Sequence, residues 1–371
     1  MVLLDGVVQH YEWGGYTFIP SLLGKSAKAR KPHAEYWLGA HPKAPAIAKL
    51  KGKRVPLTDL APDLPYLFKV LDAREMLSIQ AHPNLAQAKR GFARENEEGI
   101  PLSAAHRNYK DANHKPEVHV ALTPFWMLHG FRPWDEIVHF LETVPEFSPL
   151  RNAKSLKALV RRILTMPRPE SILGPLLVRL RAKAEWKRSD PAYWVLRAAE
   201  TFPEASRDRG LFFLYLMNLV SMKPGEGTYQ PAGVLHAYLE GANVELMANS
   251  DNVLRAGLTP KHIDTGELLR SIRFESGKPE ILKGEALNRE ERVFRTPSTE
   301  FELTRIRIAP GRTRQRTADG PAILLVIEGF ATIGGIALKR GQAVFANDES
   351  YGITAGGDGV TLFQAAVPAK R

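Results

Sequence analysis

Over the first ~130 residues, apolar positions come in short runs broken by Gly and Pro, the pattern of short strands rather than long helices, and it predicts an all-β core. Residues 133–220 change character. WDEIVHFLETV, SLKALVRRIL, ILGPLLVRLRAKAEW and AYWVLRAAE repeat apolar residues at spacings of three and four, with Pro133, Pro169 and Pro191 at the predicted helix starts. This segment reads as a helical insertion, and its run LFFLYLMNLV (211–220) reads as a buried helix. Short strands return from Thr228, and after Asp264 a third segment, including FELTRIRIA and AILLVIEGFATI, looks β-rich to the end of the sequence. The predicted fold is mainly β with an α-helical insertion. Its units are 1–132 with 221–264, then 133–220, then 265–371.

Three stretches break the apolar pattern in ways that carry chemistry. In MLSIQAHP (76–83), the period of two puts Ser78, Gln80 and His82 on one face of a strand and Leu77, Ile79 and Ala81 on the other. A hydroxyl, an amide and an imidazole then line up inward. In NYKDANHKPEVHVALTP (108–124), Pro116 and the β-branched residues after it start a strand at about Glu117, so Glu117 and His119 share a face. Lys115, just before that strand, is either a surface charge or part of a site. In LPYLFKVLD, Lys69 interrupts an apolar strand; it sits on the solvent face of an edge strand or binds an anion.

Composition narrows the function classes. The 371 residues, 44% hydrophobic and 25% charged, suffice for two or three domains with their own cores. There is no cysteine, so disulfides and thiolate metal sites are excluded and a metal must be held by His, carboxylate or amide oxygen. That usage suits the cytoplasm. No charged and then apolar leader opens the sequence, and its longest apolar run, 211–220, is about half a membrane span. The formal charge of +11 is spread along the chain without a basic tail or nucleic-acid-binding motif, which favours an anionic small substrate over nucleic acid.

In GEGTYQPAGVLHAYLEG, Gly225, Pro231, Gly233 and His236 form GxxxxxPxGxxH, which resembles the second signature of the cupin family of small β-barrels. Pro231 and Gly233 make a turn between two strands, and His236, just inside the second, faces the interior where a metal can sit. Gln80 and His82 occupy the paired i, i+2 positions of the first cupin signature. Glu240 stands where cupins usually carry Asn. More specifically, YEWGG (11–15), PHAEYWLGAHPKAP (32–45), LPYLFKVLDAREMLSIQAHP (64–83), NYKDANHKPE (108–117) and HAYLEGANVELMANSDNVLRAGLTPKHID (236–264) resemble the type I mannose-6-phosphate isomerase (phosphomannose isomerase) family.

That resemblance implies two cupin-like jelly-roll barrels and a helical domain. One barrel carries a single zinc ion on Gln80, His82, Glu117 and His236; the C-terminal barrel, with no histidine after His262, carries none. It implies Arg255 as an active-site residue, Lys115, Glu245, Asp251 and Lys261 around the same pocket, and Trp13, Lys69, Ser78 and Tyr238 nearby. The implied reaction interconverts mannose 6-phosphate and fructose 6-phosphate. No nucleic-acid or membrane partner is expected, and a monomer is.

The residue types suit that reaction. Moving a carbonyl from C1 to C2 takes a proton from one carbon, passes through an enediol(ate) and returns a proton to its neighbour. A divalent metal polarises the carbonyl, and Arg255 with the lysines can grip a phosphate dianion. The base stays open among Lys115, Asp251, a zinc-bound water and a neighbour of the ligands. Two departures from the family pattern stand out: His119, which by parity competes with Gln80 as fourth ligand or supports the metal shell, and Trp126 with His129, which suggest packing against the helical insertion. Two other functions use parts of the same residue set. One is a metal-dependent cupin of another class, such as an iron oxygenase, which does not need Lys115, Arg255 and Lys261; the other is a non-catalytic sugar-phosphate sensor, which does not need the metal.

Overall fold

The computed structural model describes residues 1–25, 29–183, 185–202 and 204–368. Two antiparallel sheets and a group of helices make up the described chain. The first sheet has ten strands and is organised around the long strand His236–Ala248. The first residues of that strand pair with Phe125–Phe131 and, through His236 and Gln80, with Ile79–Ala81; beyond a register shift at Tyr238/Glu240 it pairs with Tyr66–Ala73 and Glu117–Ala121. The change of partners falls at Gly241, whose φ of 117° and close approach to the Pro124 carbonyl leave no room for a side chain.

This bend decides where the functional residues meet. Glu117 pairs laterally with Met247, eleven residues along the strand from His236. In a flat sheet that separation is ~36 Å, yet a Glu117 carboxylate oxygen lies 3.4 Å from His236 Nε2. The sheet therefore closes over onto itself, and the enclosed face is the one with the polar residues. Alternation sorts the side chains. Phe68, Val70, Val118, Val120, Val244 and Leu246 point outward into a core shared with Leu303, Ile323, Leu325, Phe345 and Phe363 of the second sheet, while Lys69, Glu117, His119 and Glu245 point inward. Each of those apolar side chains contributes about 1.5–3 kcal/mol by leaving water.

The second sheet has eleven strands, mostly from Glu285 onward, but Val2–Asp5 pairs with Ala343–Ala346, and the hairpin of Ile47–Leu50 and Lys53–Pro56 extends it. The N-terminal segment thus feeds both sheets, whereas chain order alone assigned residues 1–132 to the first unit. Five α-helices, Trp134–Thr143, Leu156–Leu164, Glu170–Arg181, Pro191–Thr201 and Gly210–Leu216, pack on the outer side of the first sheet through Ile79, Ala81, Leu128, Ala237, Leu239, Leu254 and Ala256. Pro133 and Pro169 directly precede their helices, and Pro191 opens its own beside the capping residue Asp190. Trp126 packs against Trp194 of the insertion at 5.6 Å between rings.

Three local expectations change. Leu85–Glu97 is a helix inside the segment expected to be all β, and its start was readable: Asn84 and Gln87 form a reciprocal capping box. The run 211–220 is a buried helix only to Leu216. Met217–Met222 then becomes a strand, because the backbone of Phe125–Phe131 supplies a ladder for it. Lys69 lies on a central strand, paired on both sides, and not on an edge.

Candidate metal centre and active-site cavity

Inside the folded-over sheet, one nitrogen each from His82 and His236 and an oxygen from Glu117 lie within 4.8 Å of one another. His236 is the first residue of the long strand, placed by the turn in which Gly233, at a φ of 79°, donates its N–H to the His82 carbonyl over 2.8 Å. His82 follows the strand Ile79–Ala81. Both rings are held through Nδ1, which must donate because each partner is a carbonyl: Asn252 for His82 at 2.7 Å and Val234 for His236 at 3.1 Å. Each Nε2 lone pair is thereby turned inward, and both atoms are buried without a hydrogen-bond donor.

Glu117 sits between the two rings, with Oε1 3.3 Å from His82 Nε2 and 3.1 Å from Lys115 Nζ. Burial alone would raise its carboxyl, but Lys115 and His82 hold it well below the usual carboxylate range. Burial, reinforced by the Lys115 charge, pushes His82 down to about 4. Two imidazoles held through Nδ1, with Nε2 turned inward beside one carboxylate, fit a divalent cation bound by nitrogen and oxygen.

Gln80 completes a row across the sheet, its Cα opposite His236 on one side and opposite Arg255 on the other. Residues opposite one another share a face, so the amide and guanidinium project from the same face as His236. The adjoining cavity has a volume of about 1330 Å³, and Trp13, Lys69, Ser78, Gln80, Lys115, Asp251, Arg255 and Lys261 all line it. Tyr238 and Glu245 are buried behind its wall, with the Tyr238 hydroxyl donating to Glu245 over 2.7 Å.

The cations of the cavity fall into two groups. Lys69 is 2.8 Å from Glu245 and 3.7 Å from Glu35; burial would lower its pKa, but these carboxylates raise it instead, so it is a permanently charged ammonium already neutralised by protein. Arg255 and Lys261 have no ion-pair partner among the described residues. Burial lowers the Arg255 guanidinium, and burial together with Arg255 lowers Lys261. A half-buried guanidinium with an unpartnered Nε is a standing demand for an anion. Asp251 is occupied differently. Burial would raise it, but hydrogen bonds from His41 and Lys43, the latter at 2.7 Å, hold it far below the usual carboxylate range.

His119 is fully buried on the same face as Glu117, but it lies outside the metal cluster. Its Nδ1 is 2.9 Å from Gln230 Nε2 and its ring meets Tyr238 edge-on at 5.0 Å; burial and the neighbouring His129 push it down to about 3. His129 bonds the Tyr229 carbonyl within the sheet, and Glu240, the departure from the cupin signature, is gripped by Arg188 and Arg197 of the helical insertion.

Sequence reasoning missed the residues that set these positions. Asn252 is fully buried; its side chain bonds the backbone at Lys110, Asp111 and Asn113, while its carbonyl orients His82. SDNVLRAG and NYKDANHKPE are thus two halves of one clamp. Asp208, from the insertion, accepts from the N–H groups of Gly210, Leu258 and Thr259, fixing the turn that carries Lys261 and holding Leu258 at a φ of 52°. Only the composition of SDN hinted at the first, and nothing local signalled the second.

Known proteins are similar to this chain in sequence and fold. The profile described as phosphomannose isomerase type I, catalytic domain, matches residues 1–134. A mannose-6-phosphate isomerase from Salmonella typhimurium is 38% identical over 97% of this chain and 98% of its own length, and one from Rattus norvegicus is 33% identical over 92% of each. The chain belongs to the mannose-6-phosphate isomerase family. Two solved structures with a TM-score of 0.88 and 34% identity reinforce this: a zinc-bound mannose 6-phosphate isomerase covering 99% of both chains, and the Salmonella typhimurium enzyme bound to fructose 6-phosphate and zinc, covering 100% of both. Among the described residues, no helix is long and apolar enough to cross a membrane.

Proposed function

We propose that this chain is a zinc-dependent aldose–ketose isomerase that interconverts mannose 6-phosphate and fructose 6-phosphate through an enediol(ate). The observation that carries the reading is a cavity lined by a cationic pair without protein counter-charge, Arg255 and Lys261, and by Gln80 and Lys115, which adjoin the buried His82–Glu117–His236 cluster: Gln80 is the register partner of His236 and Lys115 lies 3.1 Å from Glu117. We read the two sheets as cupin-like jelly-roll barrels. The first performs the chemistry, the helices close one wall of its cavity, and the second braces the first through their shared core. Every group invoked comes from one chain, so the reaction needs no second copy.

His82, Glu117 and His236 would hold the zinc, with the Gln80 amide oxygen as fourth protein ligand. Bound there, zinc would supply a Lewis acid beside the sugar carbonyl and its neighbouring hydroxyl. Lys261, at the exposed rim, and Ser78 receive the phosphate, while Arg255, deeper in the cavity beside Gln80, stabilises the negative charge that develops at the C1–C2 oxygens. Lys115 is fixed against Glu117 at 3.1 Å and would lie beside the reacting carbons. Asp251 is a poor base because proton uptake would break its pair with Lys43. We assign it to holding the cavity rim.

A metal-dependent cupin of another class shares the three ligands but leaves Arg255 and Lys261 without purpose. Incubating the zinc-loaded protein with mannose 6-phosphate should yield fructose 6-phosphate, and unphosphorylated mannose should be a poor substrate. Equal turnover of mannose would refute the phosphate assignment, and absence of fructose 6-phosphate would refute the reaction.

A further inference from the structure

Three arginines of the second sheet form a cationic row that nothing in the active site uses. Arg292 on the strand Glu291–Phe294 is the register partner of Arg305 on Glu302–Ile308, and Arg307 follows Arg305 by two residues on the same face. Like charges directly opposite on adjacent strands destabilise a sheet unless something lies between them. The surrounding arginines are neutralised: Arg295 pairs with Glu285 and Glu302, and Arg314 and Arg316 both hold Glu291. Among the described residues, no carboxylate lies within salt-bridge distance of Arg292, Arg305 or Arg307. Glu290 is the register neighbour of Arg307 and its carbonyl accepts the Arg307 N–H over 2.8 Å, but its carboxylate forms no ion pair with any of the three arginines.

Arg305 is not a freely solvated surface charge. It is partly buried where the catalytic and C-terminal sheets meet, and the turn at Gly225 lies over its guanidinium so closely that a Cβ on Gly225 would stand 2.3 Å from Nη1. Gly225 has a φ of 89° and is tied to Ala121 by its N–H, so the turn cannot lift away easily. Burial, then the charges of Arg307 and Arg292, lower the Arg305 guanidinium, and no anionic neighbour acts in the opposite sense. Register and packing thus bring three arginines together without an ion pair among the described residues, Arg292 donating only to the Gly284 carbonyl, over 3.0 Å.

We propose that Arg292, Arg305 and Arg307 form a second anion site, distinct from the catalytic cavity, that binds a phosphate-type dianion, free or as the phosphoryl group of a small molecule. Guanidinium forks suit a tetrahedral oxyanion, and one bound across strands would turn a repulsive row into a bridge. Its position at the junction between the two sheets means that occupancy braces their packing.

The test uses zinc-loaded protein in low-salt buffer, comparing wild type, Arg305→Leu, Lys261→Ala and the double variant. Thermal unfolding is followed against inorganic phosphate, against glycerol 3-phosphate and against chloride at matched ionic strength. The expected result is a saturable stabilisation by phosphate that survives Lys261→Ala, with the affinity falling at least about tenfold on Arg305→Leu. Without phosphate, Arg305→Leu should unfold no earlier than wild type, because the repulsion is relieved. A response to both probes marks recognition of the phosphoryl group itself; a response to inorganic phosphate alone marks the free ion. If Arg305→Leu does not fold, Arg307→Gln provides the same comparison. An unchanged phosphate response in the Arg305 and Arg307 variants, or an equal response to chloride, would overturn the site. Arg305-dependent binding of a labelled oligonucleotide without a phosphate response would replace it with a nucleic-acid surface.

Discussion

The two sheets share a core and antiparallel topology but fill their enclosed faces in opposite ways. The first buries His82, Glu117, His119, His129, His236, Lys69 and Glu245, and Lys69 reaches the wall of a cavity. The second encloses Ile306, Leu324, Val326, Ile333, Leu338, Val344 and Ile353, packed against one another. One frame therefore serves two purposes, and the difference lies only in the inward residues of alternating strands. Where those positions are apolar they stabilise; where they are polar they cost stability and provide chemistry.

The comparison breaks most sharply under paired substitutions. His82→Ala should lower activity by at least about a thousandfold, since the lost Lewis acidity is worth several kcal/mol, while the metal-free melting temperature changes little. Leu324→Ala, fully buried in the second sheet, should do the reverse, costing about 2–5 kcal/mol of stability with kcat per folded molecule unchanged. Activity assays beside denaturant unfolding of both variants check the pair. If Leu324→Ala reduces kcat as strongly as it reduces stability, the two sheets are not divided in this way.

Arg255→Lys sharpens the account of the cavity. It keeps the charge and loses the fork, so kcat/KM for mannose 6-phosphate should fall by at least ~100-fold, roughly 3 kcal/mol, with metal content intact. A value near wild type would remove Arg255 from the reacting groups.

Much of this contrast was legible in the sequence. Strand parity brought Gln80 with His82 and Glu117 with His119, and the turn at Pro231 and Gly233 brought His236. What parity could not show was which inward residues converge, because that depends on the bend at Gly241 and on bonds between distant segments. The carbonyl of Asn252 orients His82 across 170 residues, and Glu245 reaches Lys69 across 176. The reading of Lys69 as an edge-strand cation failed for that reason: it is paired on both sides and its nearest anions are protein carboxylates. The segment 211–220 misled because one apolar run serves a helix and then a strand, a choice made by the pairing partner and not by composition.

A smaller effect separates two inward residues of the first sheet. Gln80→Ala should weaken zinc binding and activity by about tenfold or more, whereas His119→Ala, removed from the metal cluster and held by Gln230, should change both only slightly. Bound zinc measured in each variant decides the matter; loss of metal in His119→Ala with retention in Gln80→Ala would exchange their roles.

The last expected effect is in pH. Burial pushes His82 and His129 down to about 4 and His119 to about 3, from an ordinary value of 6.5. Below pH 6.5 the unfolded chain takes up protons that the folded metal-free protein refuses, so stability is full above that pH and falls as pH drops toward 4, by up to about 1.4 kcal/mol per pH unit for each histidine. Asp72, pushed up to about 6 by burial, acts in the opposite sense and offsets part of the slope. His119→Ala should flatten the decline between pH 6 and 4.5 in denaturant titrations. An unchanged slope would mean that His119 is not held neutral in the fold.

The central claim, that a metal on His82, Glu117 and His236 drives the isomerisation, is tested most directly by the rate of fructose 6-phosphate formation from mannose 6-phosphate in chelator-stripped protein titrated with zinc. The account predicts negligible activity without metal and recovery that saturates at one zinc per chain. Full activity in metal-free protein would contradict it.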